Sequence, residues 1–516
     1  MKRRPRQDPP ERRSCPRSRY DLKTVRMKPL DWISNAAPLL AAGLASLAVA
    51  QAAGEDWQEL FDGQTLAGWR AAENPASFRV VDGTLACDGP RAHLFYEGTD
   101  GRADFRNFEF SVEVLTWPGA NSGVFFHTGY QETGWPSQGF EVQVNNSQRQ
   151  HGNYLELKKT GSLYGIRNVH KQLVRDGEWF RLHIVVRGPR VQVRVDDLLV
   201  VDYREPDVEV RTARGPLKRL GQGTFALQCH DPESKVRYRN LRVRRLADQA
   251  GAEGPAPVVD AGYVRRVELA ESNFPLINLH AHLKGGLTLT EVLDDWRRTG
   301  INYGIAFNCG LGFPITNDAG VFEAVETLKG APVFVAMQAE GREWMKLFSA
   351  EARRRVDYVF TDSMTFTDAR GKRTRLWIPE EVEVGDPEAF MEHLVEQTVH
   401  ILSQEPIDIY VNPTFLPEVI AGRHDALWTE SRMRRVIDAA ARHGVAVEIN
   451  ARYRLPSERF IRLAKAAGVK FTFGTNNGGR ELGDLDYCLE MQQKCDLAWQ
   501  DMFVPGVTAP ARAHRQ

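Results

Sequence analysis

Two patterns of hydrophobic and polar positions divide the chain. From residue 55 to 246, apolar residues alternate with polar ones in short runs such as "WFRLHIVVRG" (179–188) and "RVQVRVDD" (190–197). A period of two with glycine-rich turns between the runs is typical of half-buried antiparallel strands. We therefore predict an antiparallel β-sandwich over residues 55–246.

The pattern changes near residue 275, where strand-like apolar runs alternate with amphipathic helical segments such as "ESRMRRVIDAAARHG". The strand-like runs are "LINLHAH", "YGIAFN", "PVFVAMQAE", "DYVFTDS", "DIYVNP", "VAVEIN" and "KFTFGTN". Repeated strand–helix units close into a parallel barrel with right-handed crossovers. Seven strands predict a distorted (β/α)7 barrel over 273–505, which follows a linker at 247–272 and precedes a tail at 506–516.

The first 54 residues belong to neither predicted domain. Their basic, proline-rich start is followed by Met27, Lys28 and an apolar stretch from roughly Ala36 to Ala50. This is the arrangement of a secretory signal peptide, and the stretch is too short to span a membrane comfortably. We expect translation to start at Met27 and the mature protein to be secreted or periplasmic, without a membrane span after signal cleavage.

Charge and cysteine content argue against a nucleic-acid-binding protein and against a disulfide-stabilised fold. The chain has 67 basic and 67 acidic residues, and 11 basic and 4 acidic ones lie in the leader. The remaining 56 basic and 63 acidic residues give a net charge of −7, which does not suggest nucleic-acid binding. Five scattered cysteines follow the leader, an odd number that does not suggest a disulfide framework.

The first half contains a set of motifs in a recognisable order. They are "LFDGQTLAGWR", "NSGVFFHTGY", "GFEVQV", "TGSLYG", "DGEWFRLHIVVRG", "LLVVDY", "ALQCH" and "VRYRNLRV". In these motifs the half resembles the 3-keto-disaccharide hydrolase family, a concanavalin-like jelly-roll fold. The resemblance implies an enzyme that hydrolyses glycosidic bonds of 3-keto sugars, with a carbohydrate as its partner.

Strand alternation predicts which side chains of the sandwich face a substrate. In "GFEVQVN", Glu141 and Gln143 lie on the face opposite to the apolar residues between them, and Gln228 and His230 do so in "ALQCH". With Asn121 from a preceding turn, they can line the open concave face of the sheet. Amide and carboxylate groups read sugar hydroxyls, and Trp135 or Trp117 can stack on a sugar ring.

A 3-keto sugar can be cleaved with few catalytic groups. The C3 carbonyl acidifies the hydrogen on C2, the glycosidic oxygen on C1 leaves by elimination, and water then adds to the enone. We assign Glu141 as base and His230 as acid or enolate stabiliser, roles that can be exchanged. Ordinary glycoside hydrolysis by paired carboxylates is less attractive, because Asp231 is the only nearby candidate for a second acid. The alternative is a carbohydrate-binding protein in which neither half is catalytic.

The second half resembles the polymerase and histidinol phosphatase (PHP) family of metal-dependent phosphoesterases. The motifs are "NLHAHLKGG", "AMQAEGREW", "VDYVFTDSM" and "AVEIN", and His280, His282 and Glu340 match ligand positions of the family. The match fails elsewhere, because Met364 and Asn412 stand where the family has His, and Asn476 and Gly478 replace its Asp-x-His ending.

These departures predict a reduced metal site. An amide oxygen is a weak ligand and a thioether suits only soft ions, whereas two His and one Glu can hold a single Zn or Mn ion. Three outcomes stay open for the barrel: one divalent metal ion, a relic that binds a ligand through polar groups, or phosphoesterase activity.

Overall fold

The computed structural model describes residues 57–101, 103–148, 153–248, 255–368 and 370–508. The predicted signal peptide with Met27 lies outside the described residues.

The first half folds into two facing antiparallel sheets, as the alternating pattern predicts. One sheet has the order β11-β10-β9-β6-β15-β4-β3, with β1 beside β15, and the other has the order β2-β5-β14-β7-β8. The strands are β1 (Gln58–Glu59), β2 (Trp69–Ala72), β3 (Phe78–Val81), β4 (Thr84–Asp88), β5 (Ala92–Tyr96), β6 (Phe108–Thr116), β7 (Ser122–Thr128), β8 (Phe140–Val144), β9 (Phe180–Arg187), β10 (Arg190–Val195), β11 (Leu198–Arg204), β12 (Arg211–Thr212), β13 (Gly215–Pro216), β14 (Thr224–Cys229) and β15 (Lys235–Arg245). A 3-10 helix, Pro75–Ser77, precedes β3.

The sandwich core forms from the apolar set of each alternating strand. Phe110 of β6 and Phe225 of β14 stack across the sheets with ring centroids 4.6 Å apart. Val142 and Val144 of β8 are fully buried, which turns the polar residues between them to the other face of the five-stranded sheet.

The structure differs from the sequence prediction in the segment 247–272. Its second part forms helix α1 (Ala261–Glu271), which begins where the Asp260 side chain accepts a hydrogen bond from the backbone N–H of Tyr263. Tyr263 and Val267 of this helix pack against Val210 of the sandwich. The helical part of the segment is therefore a packed connection, since two apolar residues one helical turn apart dock it against the sandwich.

The second half is a closed barrel of seven parallel strands, β16-β17-β18-β19-β22-β23-β24, which confirms the predicted architecture. The strands are β16 (Ile277–Ala281), β17 (Asn302–Gly310), β18 (Phe334–Glu340), β19 (Tyr358–Thr361), β20 (Thr365–Thr367), β21 (Arg373–Arg375), β22 (Ile409–Tyr410), β23 (Ala446–Asn450) and β24 (Phe471–Gly474), of which β20 and β21 form a separate hairpin. The helices are α2 (Leu289–Thr299), α3 (Asp318–Thr327), α4 (Trp344–Leu347), α5 (Ala350–Arg354), α6 (Pro387–Gln404), α7 (Glu418–Ala421), α8 (His424–Leu427), α9 (Glu430–His443), α10 (Glu458–Ala466) and α11 (Asp486–Lys494), with 3-10 turns at Pro379–Glu381 and Trp499–Asp501.

Local sequence sets the helix boundaries in the barrel. Helix α2 begins with a capping box in which Thr288 and Glu291 satisfy each other's backbone N–H groups. It ends at Gly300, which adopts the left-handed conformation (φ 81°) that favours glycine. The connection from α2 therefore leads directly into β17.

Polar contacts join the two halves of the described chain. The guanidinium of Arg167 in the sandwich donates to the carbonyl oxygens of Arg297 (3.2 Å) and Arg298 (3.0 Å) at the end of α2. Asn302 of β17 donates to the carbonyl of Asn168 at 2.9 Å and accepts from the backbone N–H of His170 at 3.1 Å. The barrel is thus held directly against the sandwich.

In the described part of the chain, every cysteine is buried and free. None of the helices found there combines the length and the apolar character needed to cross a membrane.

Candidate active site

Strands β8, β7 and β14 lie side by side and bring distant residues together. Glu141 pairs with Phe125 across β8 and β7, and Phe125 pairs with Ala226 across β7 and β14. Across this array, the side-chain amide of Gln228 donates a hydrogen bond to the Glu141 carboxylate at 3.2 Å. The two motifs that the sequence analysis placed on one concave face therefore meet there.

A cavity of about 680 Å³ opens over this face. Its lining includes all six residues that the sequence predicted for the sandwich site, namely Asn121, Trp135, Glu141, Gln143, Gln228 and His230. Trp117, the alternative stacking residue, does not belong to the lining. The volume lies within the range of small-molecule sites and accommodates a disaccharide.

Glu141 is held in an environment that disfavours its charged form. Burial of the carboxyl group raises its pKa to about 8, and the like charge of Glu156 acts in the same direction. Gly123 on the neighbouring strand makes room for it, because a Cβ atom at residue 123 would lie 2.2 Å from the Glu141 Oε1 atom. The carboxyl group can therefore carry a proton near neutral pH.

His230 is oriented by the residue that follows it. Its Nδ1 lies 2.7 Å from the Oδ2 atom of Asp231, and the other Asp231 oxygen accepts from the backbone N–H groups of Glu233 and Ser234. Burial alone would raise the pKa of Asp231, but the hydrogen bonds from His230 and Ser234 lower it to about 2. An ionised Asp231 fixes the proton on Nδ1, which leaves the Nε2 atom of His230 to accept a proton. Asp231 is therefore the partner of His230 and not a second acid.

Aromatic rings enclose this imidazole. The ring of Trp135 lies 5.1 Å from that of His230, and the ring of Tyr154 stacks on it at 6.0 Å. The rings fix the side chain and supply an apolar wall for a sugar face.

Amide groups form a chain along the cavity floor. Gln143 donates to the side-chain oxygen of Asn121 at 2.6 Å, and Asn121 donates to the Tyr154 hydroxyl at 3.3 Å. The side-chain oxygens of Gln143 and Gln228 are buried and have no hydrogen-bond partner among the described residues. Buried acceptors of this kind suit a ligand that brings hydroxyl donors.

The sequence analysis missed a buried ion pair beside Glu141. Glu156 and Lys158 are each 1% exposed, with the Lys158 ammonium 3.3 Å from a Glu156 oxygen. The hydroxyl groups of Tyr154 and Tyr164 both donate to the other oxygen of Glu156, at 2.9 and 3.0 Å. In "YLELK", Tyr154, Glu156 and Lys158 alternate with two leucines, which indicates that the three polar residues share one face. The segment forms no regular strand, so the sequence did not assign that face to the site.

The barrel histidines are oriented in the manner of metal ligands. The Nδ1 of His280 lies 2.7 Å from Glu448, and the Nδ1 of His282 lies 2.9 Å from the carbonyl oxygen of Ala306. Both Nε2 atoms are buried and have no partner in the described part of the structure. Two imidazole nitrogens are therefore available at the carboxyl end of the barrel.

The remaining groups at this end bind each other. Glu340 accepts from Asn308 and Thr365, at 3.0 and 3.1 Å. The Asn412 amide donates to Asp362 at 2.8 Å.

Two further amides complete the network, since Asn450 and Asn476 both donate to the Asn412 oxygen at 3.0 Å. Among the described residues, no three His, Cys, Asp or Glu side chains are grouped so as to hold a metal ion. Amides at the substituted positions satisfy one another, and the residues present do not complete the family's metal centre.

Solved structures similar to parts of the chain include a candidate glycosyl hydrolase from Parabacteroides distasonis, 18% identical over 37% of this chain and 94% of that one, with a TM-score of 0.31. A histidinol phosphate phosphatase from Lactococcus lactis is 12% identical over 43% of this chain and 93% of that one, with a TM-score of 0.33. No curated protein matches the chain in sequence. Residues 56–244 match the family model of the 3-keto-alpha-glucoside-1,2-lyase-like domain, so this part of the chain is a carbohydrate-active domain of hydrolase-like type.

Proposed function

We propose that the sandwich cleaves 3-keto-glycosides by elimination across C1 and C2, followed by addition of water. The observation that carries this proposal is the cavity in which the Glu141 carboxyl and the His230–Asp231 pair stand among amides that suit sugar hydroxyls. The family match of residues 56–244 supports the same substrate class.

The geometry favours exchanging the two catalytic roles of the sequence analysis. His230, with its Nδ1 proton held by Asp231, accepts the C2 proton at Nε2. Glu141, whose burial raises its pKa to about 8, donates a proton to the glycosidic oxygen. A protonated carboxyl and an imidazole with a free Nε2 atom are suited to opposite proton transfers.

The reaction balances without an external redox partner. His230 removes the C2 proton, and the electron pair passes to the C3 oxygen as an enolate, for which Lys218 and Arg214 on the cavity lining are candidate cations. The enolate re-forms the carbonyl, the C1–O bond breaks, and the leaving oxygen takes the Glu141 proton. Water then adds across the C1–C2 double bond, and the sum of both steps is hydrolysis.

Proton exchange separates the two roles. In heavy water, full-length wild type should release the aglycone of a synthetic 3-keto-glucoside. Glu141→Gln should still exchange the C2 proton while release falls at least a hundredfold, and His230→Asn should lose both. Glu132→Gln, the same change at an exposed position, is the control.

The runner-up is a carbohydrate-binding domain without catalysis. A binder would retain affinity in Glu141→Gln, and its wild type would neither exchange the C2 proton nor release aglycone. That result would overturn the proposed reaction.

A further inference from the structure

The wall of the sandwich cavity is not made by the sandwich alone. Glu271, the last residue of α1, belongs to the cavity lining together with Arg214 and Lys218 from the segment around β13. Arg214 also donates to the backbone carbonyl of Glu271 at 2.8 Å. The segment that leads into the barrel therefore borders the proposed reaction site.

Glu271 offers an unused hydrogen-bond acceptor to this cavity. Its Oε2 atom is buried and has no hydrogen-bond partner among the described residues. Gly165 of the sandwich packs against it, because a Cβ atom there would lie 3.6 Å from the Glu271 Cα atom and 3.7 Å from its Cγ atom. A buried carboxylate oxygen without a donor is costly, and a bound hydroxyl group would supply that donor.

Asn273 lies two residues after Glu271, and its side chain forms hydrogen bonds with the segment that carries the buried Glu156–Lys158 ion pair. Its side-chain oxygen accepts from the Lys158 ammonium at 3.0 Å and from the backbone N–H of Leu157 at 3.3 Å. Its amide nitrogen donates to the carbonyl of Leu155 at 2.8 Å. One side chain therefore fixes the segment that carries Glu156 and Lys158 beneath Glu141.

We propose that the chain segment following the sandwich completes the active site, with Glu271 of α1 binding hydroxyl groups of the leaving part of the substrate and Asn273 positioning the Glu156–Lys158 pair. The inference rests on the proposed function and deepens it. A carboxylate in the cavity wall favours a leaving group that carries hydroxyls over an aryl leaving group.

Glu271→Met tests the specificity role in the full-length protein. A hydrogen bond to a charged group is worth roughly a tenfold change or more, so kcat/KM for a 3-keto-disaccharide should fall about tenfold, mainly through KM. The rate on an aryl 3-keto-glucoside should stay within twofold. Glu326→Met, the same change at an exposed residue of α3, is the control. Equal losses on both substrates, or no loss on either, would overturn the role of Glu271.

Asn273→Gly tests the positioning role without straining the backbone, because Asn273 is left-handed (φ 62°) and glycine adopts that conformation freely. The Lys158 charge lowers the Glu141 pKa. Without the Asn273 side chain, Lys158 is no longer fixed, so the alkaline limb of the pH–kcat/KM profile should move to higher pH. It should also reduce kcat about tenfold on both substrates. Asn240→Gly, at an exposed left-handed asparagine (φ 52°), should do neither.

The outcomes separate this inference from the proposed function. Wild-type turnover with an unchanged rate and alkaline limb in Asn273→Gly would overturn the positioning role alone. A wild type that turns over no 3-keto-glycoside would overturn the proposed function and this inference with it.

Discussion

At the scale of single residues, the cavity depends on the missing side chain at Gly123 as well as on the carboxyl group of Glu141. The Glu141 carboxyl occupies the space that a side chain at Gly123 would take, and both belong to paired strands. Because the carboxyl group is buried, its ionisation lowers the stability of the folded protein.

Gly123→Ala should displace the Glu141 carboxyl, since the added Cβ would come within 2.2 Å of it. Because proton transfer tolerates little misplacement, we expect kcat to fall roughly a hundredfold, as measured by aglycone release. Gly129→Ala is the matched control, with no atom within 4 Å of an added Cβ. Equal activity in the two variants would contradict the assignment of Glu141.

Glu141→Gln should become more stable than wild type as the pH rises. The folded state holds the Glu141 proton up to about pH 8, whereas the ordinary pKa of a glutamate is 4.5. The free energy of unfolding of the wild type therefore falls as the pH rises from 4.5 through about 8, by at most about 5 kcal/mol. Thermal unfolding at pH 5 should give similar Tm values for both proteins, and at pH 9 a higher one for the variant. A constant difference across this range would show that Glu141 keeps an ordinary pKa in the fold.

At the scale of elements, the carboxyl ends of the barrel strands are joined by one buried carboxylate on β23. Glu448 is fully buried and accepts from the backbone N–H of Asn412 at 2.7 Å and from the Asn450 amide at 3.0 Å, in addition to its contact with His280. It thereby links β16, β23 and the loop after β22. The amides that replace metal ligands are thus part of a structural network.

Glu448→Ala should destabilise the protein by about 3 kcal/mol or more, because it removes the acceptor of the Asn412 N–H and His280 and one of the two acceptors of the Asn450 amide. Urea unfolding measures this loss. The exposed Glu481→Ala should change stability by no more than about 0.5 kcal/mol. If the two variants unfold alike, the network does not hold the strand ends together.

At the scale of the whole molecule, the described residues of the two predicted domains form one compact unit. The largest cluster of buried hydrophobic residues in the described chain contains members from both halves. Helix α1, the Arg167 contacts and Asn273 add polar connections between them.

The full-length protein should therefore unfold in a single transition, since exposing one half strips buried contacts from the other. Calorimetry should show one peak whose calorimetric and van't Hoff enthalpies agree. Arg167→Met, which removes two interface hydrogen bonds, should lower that single Tm without dividing the peak. Two well-separated peaks in wild type would show that the halves fold independently.

Much of the architecture follows from the sequence alone. The period of two determines which side chains of β8 and β14 share a face, so Glu141, Gln143, Gln228 and His230 could be grouped before the fold was known. The seven apolar runs likewise determine the barrel strands, and the missing histidines predict a reduced metal site. These are local properties, because side-chain direction along a strand depends on the strand itself.

The tertiary structure decides what those local patterns leave open. Strand order places Gly123 against Glu141, an irregular segment brings Glu156 and Lys158 beneath it, and helix docking delivers Glu271 and Asn273 from the other half. Burial then sets the protonation of Glu141 and reverses its expected role in the proposed reaction. Contacts between distant segments depend on how elements pack, and no periodicity within one segment carries that information.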